Sequence, residues 1–480
     1  MRVSDLISLG QRYLGLGILI VVILAAVFTL IYYKFFKGKI NISISKILVW
    51  GILVCYIIVV LGVTLLDRGN FWQNGRIMPL FYSYKDAWVN FSVTSWRNII
   101  LNICMFIPLG VLLPMVFPFF QSFWKTYLAG FIITILIEGI QLVLNRGMFE
   151  LDDLLNNTVG TMIGYGIYVL GAAILSNKIQ KSGRKYSITQ FLLLQLPLFT
   201  TVIGFALIFT LYERQELGNV GYQCLVPYDV EKLQVSSDIE FDSEQMEVPV
   251  YLCKTLTKED AEVFAASFFE NLGTQIDETR NDFYEDTAIF YAEERYNLWV
   301  NYKGGDYSFT DFETSFPEDP IAINLKASEE EIRKVLLSYG IEIPEQSVME
   351  VQMDAERFVF EIAHVEENGK IKDGMVSGQY CENGCFADVD YSVIEGEYYK
   401  DFAVISEQEA YDMICNGEFD YRADTQIQIQ VKECELEYMM DSKGFYQPVY
   451  NFSCGINGEE AEIKIAAIQD EVVCRGLFTN

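Results

Sequence analysis

Six apolar runs constrain this 480-residue chain more than any other feature. A run of about 20 apolar residues spans the hydrocarbon core of a bilayer as an α-helix. The sequence therefore predicts an all-α polytopic bundle of six transmembrane helices, followed by a soluble α+β domain. The first run is too long for a signal-peptide core, so we expect it to be retained. The predicted helices are Leu14–Tyr33, Ile47–Leu66, Asn98–Phe117, Trp124–Leu144, Leu155–Leu175 and Ile188–Tyr212.

Charge divides the chain at the end of the last apolar run. Residues 1–212 carry 16 Lys and Arg against 7 Asp and Glu, whereas residues 213–480 carry 19 against 58. The net charges of +9 and −39 indicate two different surroundings. The acidic half excludes nucleic acid as a partner, because phosphate binding needs clustered Lys and Arg. We expect four segments. Residues 1–46 contain the first helix and a cytoplasmic loop, and residues 47–176 form a transmembrane domain. Residues 177–212 contain a cytoplasmic loop and the last helix, and residues 213–480 form an acidic α+β domain of one or two subdomains.

Secondary structure in the acidic half alternates between strands and amphipathic helices. Strand-like alternation occurs at Tyr296–Tyr302 and Ile427–Val431. Helices are predicted at Lys258–Leu272, Glu329–Tyr339 and Glu407–Asn416. Their starts carry the capping pairs Thr257 with Asp260, Ser328 with Glu331 and Ser406 with Glu409, in which each side chain satisfies a free backbone amide.

Basic residues in the short loops predict the orientation. Lysines between the first two helices, Lys125, and the basic loop 178–185 all fall on one side, which the positive-inside rule makes cytoplasmic. The acidic half then lies outside the cytoplasm, in a multi-pass protein of the cell membrane. An even number of cysteines there is typical of an oxidising exterior. Disulfides or free thiols are expected at Cys224, Cys253, Cys381, Cys385, Cys415, Cys434, Cys454 and Cys474.

Metal and cofactor binding are not predicted. Cys381 and Cys385 form a Cys-x3-Cys pair, but no second pair follows at zinc-like spacing. The single histidine, His364, is remote from any cysteine in the sequence. A nucleophile elbow, a phosphate loop and an HExxH motif are all missing from the sequence, which favours a protein that is not an enzyme and leaves an enzyme as the alternative.

Polar residues inside the apolar runs are the candidate functional residues, because such residues are costly in a bilayer. The third run holds Asn102 before Pro108 and Gly110, where proline favours a kink. In the fourth run, Glu138 and Gln141 share a helix face, and Arg146 follows.

The fifth run begins with acids and amides. Asp153, Asn157, Gly160 and Gly164 recur at the spacing of one helix face. Structural explanations remain open: a Glu138–Arg146 ion pair, acids that stabilise a helix start, and glycines that allow close packing. The alternative is a polar pocket facing outward.

These residues, in this order, resemble the VanZ-like family of integral membrane proteins. The resemblance covers about residues 50–175 and includes Arg76, Pro79 and all the residues just named. It implies a helical membrane domain linked, in the founding member, to glycopeptide (teicoplanin) resistance in Gram-positive bacteria. The polar side chains at the outer ends of the helices predict a pocket formed by Arg76, Asn102, Glu138, Gln141, Arg146, Asp153 and Asn157, with Pro79, Pro108, Gly110, Gly160 and Gly164 as structural residues.

A second resemblance lies near the C-terminus. Tyr446-Gln-Pro448-Val-Tyr450-x-Phe452, with the strand-like segments on either side, is similar to extracytoplasmic PepSY-like and sensor-modulating domains. That similarity implies binding or regulation for the acidic domain, with an envelope protein as a partner.

Three hypotheses follow for function. The first is an envelope protein that binds membrane lipid, a lipid-linked cell-wall precursor or a glycopeptide-related ligand in its polar pocket. The second is an enzyme acting on a lipid-linked phosphate, with Glu138 or Asp153 as acid or base and Arg76 or Arg146 holding the phosphate. The third is a membrane-anchored sensor that acts through its outer domain. We expect the first.

Overall fold

The computed structural model describes residues 11–23, 44–66, 77–176, 187–220, 233–317, 321–367, 369–419 and 427–468. The chain forms two compact units that divide between Glu216 and Leu217. The first unit is helical and apolar, and the second is rich in β-strands, which confirms the predicted multi-domain architecture.

Seven helices and two short strands make up the described part of the first unit. They are α1 (Gln11–Ile23), α2 (Ile44–Leu61), β1 (Ile77–Met78), α3 (Tyr82–Asn90), α4 (Val93–Val116), α5 (Phe123–Val143), β2 (Phe149–Glu150), α6 (Leu151–Ser176) and α7 (Ile188–Arg214). A π-helical turn, Gly62–Leu66, extends α2. Strands β1 and β2 pair in parallel.

Five helical segments of the described residues are long and apolar enough to cross a membrane. These segments are Ser45–Leu66, Val93–Val116, Phe123–Val143, Leu151–Ile174 and Ile188–Arg214. They confirm the helical membrane region. The first predicted span, Leu14–Tyr33, is represented by the shorter helix α1, and its last ten residues lie outside the described residues.

Two helices start earlier than predicted because polar residues form their first turns. Helix α4 begins at Val93, where the Ser92 hydroxyl accepts from the backbone N–H of Ser95. Helix α6 begins at Leu151, which brings Asp152 and Asp153 into its first turn, where the helix dipole favours negative charge.

The second unit is built on one large sheet. Its strands are β3 (Leu233–Ser237), β4 (Glu247–Cys253), β5 (Asp282–Phe283), β6 (Thr287–Ala292), β7 (Tyr296–Asn301), β8 (Tyr307–Asp311), β9 (Val348–Gln352), β10 (Arg357–Glu367), β11 (Lys370–Tyr380), β12 (Phe386–Ala403), β13 (Ile427–Met440), β14 (Phe445–Ile456) and β15 (Glu459–Ala466). Its helices are α8 (Lys258–Asn271), α9 (Phe312–Ser315), α10 (Glu329–Ser338) and α11 (Glu407–Cys415). The main strand order is β3-β13-β14-β4-β12-β8-β7-β6-β5, with β11, β10 and β9 joined to β12, and β15 to β14.

Two hydrophobic cores lie along this sheet. Helices α8 and α10 pack on the first core, which includes Phe268, Leu298 and Phe309. Helix α11 packs on the second, with Ile414 and Phe452. Strand β12 is 18 residues long and joins the two halves, because its first half pairs with β8 and β11 and its second half with β4.

The predicted helix caps of this unit are present, with one difference. Thr257 with Asp260, and Ser406 with Glu409, form reciprocal capping boxes. At α10 the Ser328 hydroxyl accepts from the backbone of Glu331, but the Glu331 carboxylate accepts from the Tyr380 hydroxyl instead. A tertiary contact therefore replaces half of the third box.

Candidate functional site: a buried polar cluster in the helical unit

The predicted polar residues of α4 and α6 contact each other directly. The Asn102 side-chain amide donates to Oδ1 of Asp153 at 2.5 Å, which joins α4 to the first turn of α6. Asp153 is only 6% exposed, so its carboxylate has lost most of its contact with solvent. The hydrogen bond from Asn102 offsets part of that cost.

Asn157 lies one turn further along α6 and contacts α5. Its Nδ2 donates to the Thr134 hydroxyl at 2.8 Å, and both side chains are buried. Its Oδ1 is buried and has no hydrogen-bond partner among the described residues. A buried amide oxygen without a donor costs about 1–3 kcal/mol, so this position favours the presence of another hydrogen-bond donor.

Glu138 is buried in α5 with an exposed fraction of 2%. Its Oε2 accepts from the backbone N–H of Glu150 at 3.4 Å, next to the β1–β2 pair. The ion pairs among the described residues do not include one between Glu138 and Arg146, and Arg146 donates to the carbonyl oxygen of Leu65.

Gln141 and Arg146 stabilise the end of the second helix. Gln141 Nε2 donates to the Thr64 carbonyl at 2.8 Å, and Arg146 Nη1 donates to the Leu65 carbonyl at 2.5 Å. Both carbonyls belong to the π-helical turn, where the last backbone acceptors of a helix lack intrahelical donors. These two contacts are explained by helix capping alone.

Asp152 positions α3, a role that the sequence analysis did not assign. Its two carboxylate oxygens accept from the backbone N–H groups of Phe81 and Ser83 at 2.5 and 2.7 Å, at the start of α3. The Ser83 hydroxyl also donates to Glu150 at 2.9 Å. The acidic first turn of α6 was the only available signal, and it did not identify the partner.

Asn156 lies one turn after Asp152 on α6, and both side chains contact α3. The Tyr84 hydroxyl donates to Asn156 Oδ1 at 2.5 Å. Burial, and then the charges of Asp152 and Asp153, raise the pKa of Tyr84 to about 12, so the phenol remains a donor at neutral pH. Asn156 Nδ2 is buried without a partner among the described residues.

Close contact between α4 and α6 brings these groups together. A Cβ atom on Gly160 would overlap the carbonyl oxygen of Ile103, and one on Gly164 would overlap that of Ile107. Gly110 lies on the facing side of α4, where a Cβ atom would overlap the carbonyl oxygen of Thr161. Only glycine lets the two backbones approach this closely, as at other membrane helix crossings.

The remaining predicted residues have simpler positions. Helix α4 continues through Pro108 without interruption. The Pro79 carbonyl accepts from the Tyr82 backbone N–H at 3.4 Å in the turn before α3. Arg76 lies outside the described residues. The polar cluster is therefore defined here as Asn102, Glu138, Asp153, Asn156 and Asn157.

Comparison with known families identifies this part of the chain. The VanZ/LLP1 family matches residues 53–174, the segment that contains the whole polar cluster. Residues 53–174 are a VanZ-like domain. Helices α4, α5 and α6 of the VanZ-like domain supply every residue of the cluster. No curated protein matches the chain.

Two solved structures resemble part of the chain. An uncharacterized protein from Eubacterium rectale ATCC 33656 is 12% identical with a TM-score of 0.25, over 50% of this chain and 90% of that one. The Bacillus megaterium YpeB C-terminal domain is 14% identical with a TM-score of 0.22, over 45% of this chain and 95% of its own.

The candidate metal ligands of the second unit lie apart in its described residues. No group of three or more potential ligands occurs among them. His364 stacks on Tyr438 and lies 4.0 Å from Asp373. Free thiols occur at six positions where disulfides or thiols were expected: Cys253, Cys381, Cys385, Cys415, Cys434 and Cys454. Cys224 and Cys474 lie outside the described residues.

Proposed function

We propose that this chain is a VanZ-like integral membrane protein of the bacterial cell envelope that binds a lipid headgroup or a lipid-linked cell-wall precursor at its polar cluster. Binding there would contribute to glycopeptide (teicoplanin-type) resistance or to envelope homeostasis. The single observation that carries the proposal is the burial of Glu138 and Asp153 within helices apolar enough to cross a membrane. Buried carboxylates in such helices are expensive and are commonly functional.

Unsatisfied hydrogen-bonding groups support binding at this place. Asn157 offers a buried acceptor and Asn156 a buried donor, neither with a partner among the described residues. A ligand that carries both hydroxyl or amide donors and acceptors would satisfy the two atoms. Headgroup sugars and peptide stems of lipid-linked precursors have this chemistry.

Side-chain chemistry in the cluster supports binding. The enzyme hypothesis needs Arg76 or Arg146 to hold a phosphate; Arg146 donates to the Leu65 carbonyl at the helix end, and Arg76 lies outside the described residues. The described residues of the cluster are carboxylates and amides, which suit hydroxyl and amide groups of a ligand. We therefore prefer binding to catalysis.

Substitution of cluster residues in a susceptible Gram-positive host tests the proposal. We expect Asp153→Asn and Asn157→Ala to lower the minimum inhibitory concentration of teicoplanin by about fivefold or more, because the first replaces a buried carboxylate oxygen by an amide NH2 and the second removes a buried amide. Membrane-inserted protein is measured in parallel by immunoblotting. Asp86→Asn is the matched control, since that carboxylate accepts from Ser95 and Asn90 near α3 rather than from the cluster.

Three outcomes of this experiment are informative. Loss of resistance in the cluster variants, with normal protein levels and a normal control, supports the proposal. Full resistance in both cluster variants contradicts it. An equal loss in Asp86→Asn also contradicts it, because the effect would then be a general property of the helical unit.

A further inference from the structure

An open groove crosses the β-sheet of the second unit. It has a volume of about 430 Å³, within the range of small-molecule sites, and lies where β7, β8, β11 and β12 adjoin. Along β7, Leu298 and Val300 enter the first core beneath the helices α8 and α10. Because side chains alternate along a strand, Trp299 and Asn301 lie on the opposite face, where they line the groove.

Strand register aligns one aromatic and three polar side chains across the groove. Trp299 pairs with Ser308 of β8, Ser308 with Asp390 of β12, and Asp390 with Ser377 of β11. With neighbouring strands about 4.8 Å apart, this row is about 14 Å long. It provides an extended binding surface rather than a point site.

Trp299 provides the apolar part of this surface. Its side chain is 44% exposed, although it stands in the middle of a six-residue strand. Among the described residues, no other ring packs on Trp299, and the exposed part of its indole is available to a ligand. An exposed indole face beside hydrogen-bonding groups suits a ligand with both apolar and polar surfaces.

The carboxylates near the groove already have partners. Arg357 pairs with both Asp388 and Asp390 at 2.6 Å. Asp306 accepts from Asn301 Nδ2 at 2.6 Å, and burial raises its pKa. The lining contains no lysine or arginine in the described residues, which disfavours an anion. One arginine shared by two carboxylates leaves acceptor oxygens for the hydroxyl groups of a neutral ligand.

Hydroxyl groups remain available to a neutral ligand. The side chains of Ser308 and Ser392 line the groove and make no hydrogen bond to any other described residue. Each hydroxyl offers one donor and two acceptor positions. Asp390 and Asp306 add acceptors for ligand hydroxyl groups.

We propose that this groove binds a neutral saccharide, with a sugar ring stacked on Trp299 and its hydroxyl groups bonded to Ser308, Ser392 and Asp390. The inference is independent of the polar cluster in the helical unit. It assigns a ligand class to the second unit, which the resemblance to binding domains left undefined.

Isothermal titration of the full chain in nanodiscs tests this site. The probes are the neutral tetrasaccharides of β-1,4-linked N-acetylglucosamine and of β-1,4-linked glucose, with tetralysine as the cationic comparison. We expect at least one tetrasaccharide to bind and tetralysine not to bind. Trp299→Ala weakens saccharide binding by about tenfold and Trp299→Phe by less, because the phenyl ring retains part of the stacking surface.

Controls separate the groove from general effects. Phe316→Ala removes another exposed aromatic side chain, one that does not line the groove, and is expected to leave affinity unchanged. Ser392→Ala tests the hydroxyl contribution, with an expected loss of about threefold. Binding of neither tetrasaccharide, equal affinity in Trp299→Ala, or binding of tetralysine alone would each overturn the proposal.

Discussion

Asp311, at the end of β8, holds Arg295 and Thr314 with one buried carboxylate. Arg295 donates through Nε and Nη2 at 2.8 and 2.6 Å, and the Thr314 hydroxyl donates at 2.8 Å. Burial disfavours the charged carboxylate, but the Arg295 and Thr314 hydrogen bonds outweigh it, and the pKa of Asp311 lies below its ordinary value. A carboxyl with a lowered folded-state pKa stabilises the fold above its unfolded pKa, and this stability is lost as pH falls through the folded value.

Asp311→Asn is expected to lower the free energy of unfolding by about 3–5 kcal/mol near pH 7, because it leaves Arg295 half-buried without its main partner. The difference from the parent should shrink as pH falls below about 4. The ¹⁹F signal of 5-fluorotryptophan at Trp299, the only tryptophan after residue 212, reports unfolding of this unit alone. Glu460→Gln is the control, since its pair with Lys432 is exposed. A pH-independent difference would contradict this account.

Gln141 offers a residue-scale test of helix capping. Gln141→Ala leaves the Thr64 carbonyl, a buried acceptor, without its side-chain donor. We expect a loss of about 1–3 kcal/mol in the stability of the helical unit. Heating the protein in detergent and measuring the remaining soluble fraction provides the comparison. If resistance falls while thermal stability does not, Gln141 acts in binding rather than in capping.

At the scale of elements, the crossing of α4 and α6 depends on glycine. Gly164→Ala forces a Cβ atom into the Ile107 carbonyl, so the helices must separate. We expect destabilisation of about 1–3 kcal/mol from overpacking, seen as a lower melting temperature in detergent. The control is Gly171→Ala in the same helix, where a Cβ meets nothing within 4 Å. Equal melting temperatures for the two variants would exclude close packing as the role of Gly164.

Helical periodicity explains how much of the polar cluster was predictable. The spacing of Asp153 and Asn157 predicted a shared face of α6, and the structure has them beside α4 and α5. The partner of Arg146 was not predictable, because the acceptor is a backbone carbonyl in a π-helical turn. Asp152 was missed for the same reason, since it binds backbone N–H groups. Side-chain patterns do not encode such acceptors and donors.

For the whole molecule, hydropathy and charge were sufficient to predict a helical membrane region followed by an α+β unit. The strand order was not predictable, because β13 pairs in parallel with β3, which lies nearly 200 residues earlier. Pairing at that separation depends on tertiary packing rather than on local alternation. The groove on the sheet was not predictable from the sequence either, because its row of residues comes from four separate strands.

Orientation is a prediction at this same scale. Cys415 is exposed at the end of α11, and we expect it to react with a membrane-impermeant maleimide on intact cells, because the basic loops predict an external second unit. The labelled peptide that contains Cys415 should be missing from the Cys415→Ser variant, which identifies the site. Labelling of Cys415 only after the cells are opened would reverse the predicted orientation.

Strand β12 has a mechanical consequence for the second unit. Its residues contribute hydrogen bonds to both halves of the sheet, so displacing the strand as a whole breaks the backbone ladders of both halves. Amide protons at Val389 and Phe402 should therefore exchange through a common opening event, with similar free energies. A ligand that binds near Asp390 should therefore slow amide exchange at Phe402 as well as at Val389. Binding at the first half of β12 would in this way make its second half more rigid.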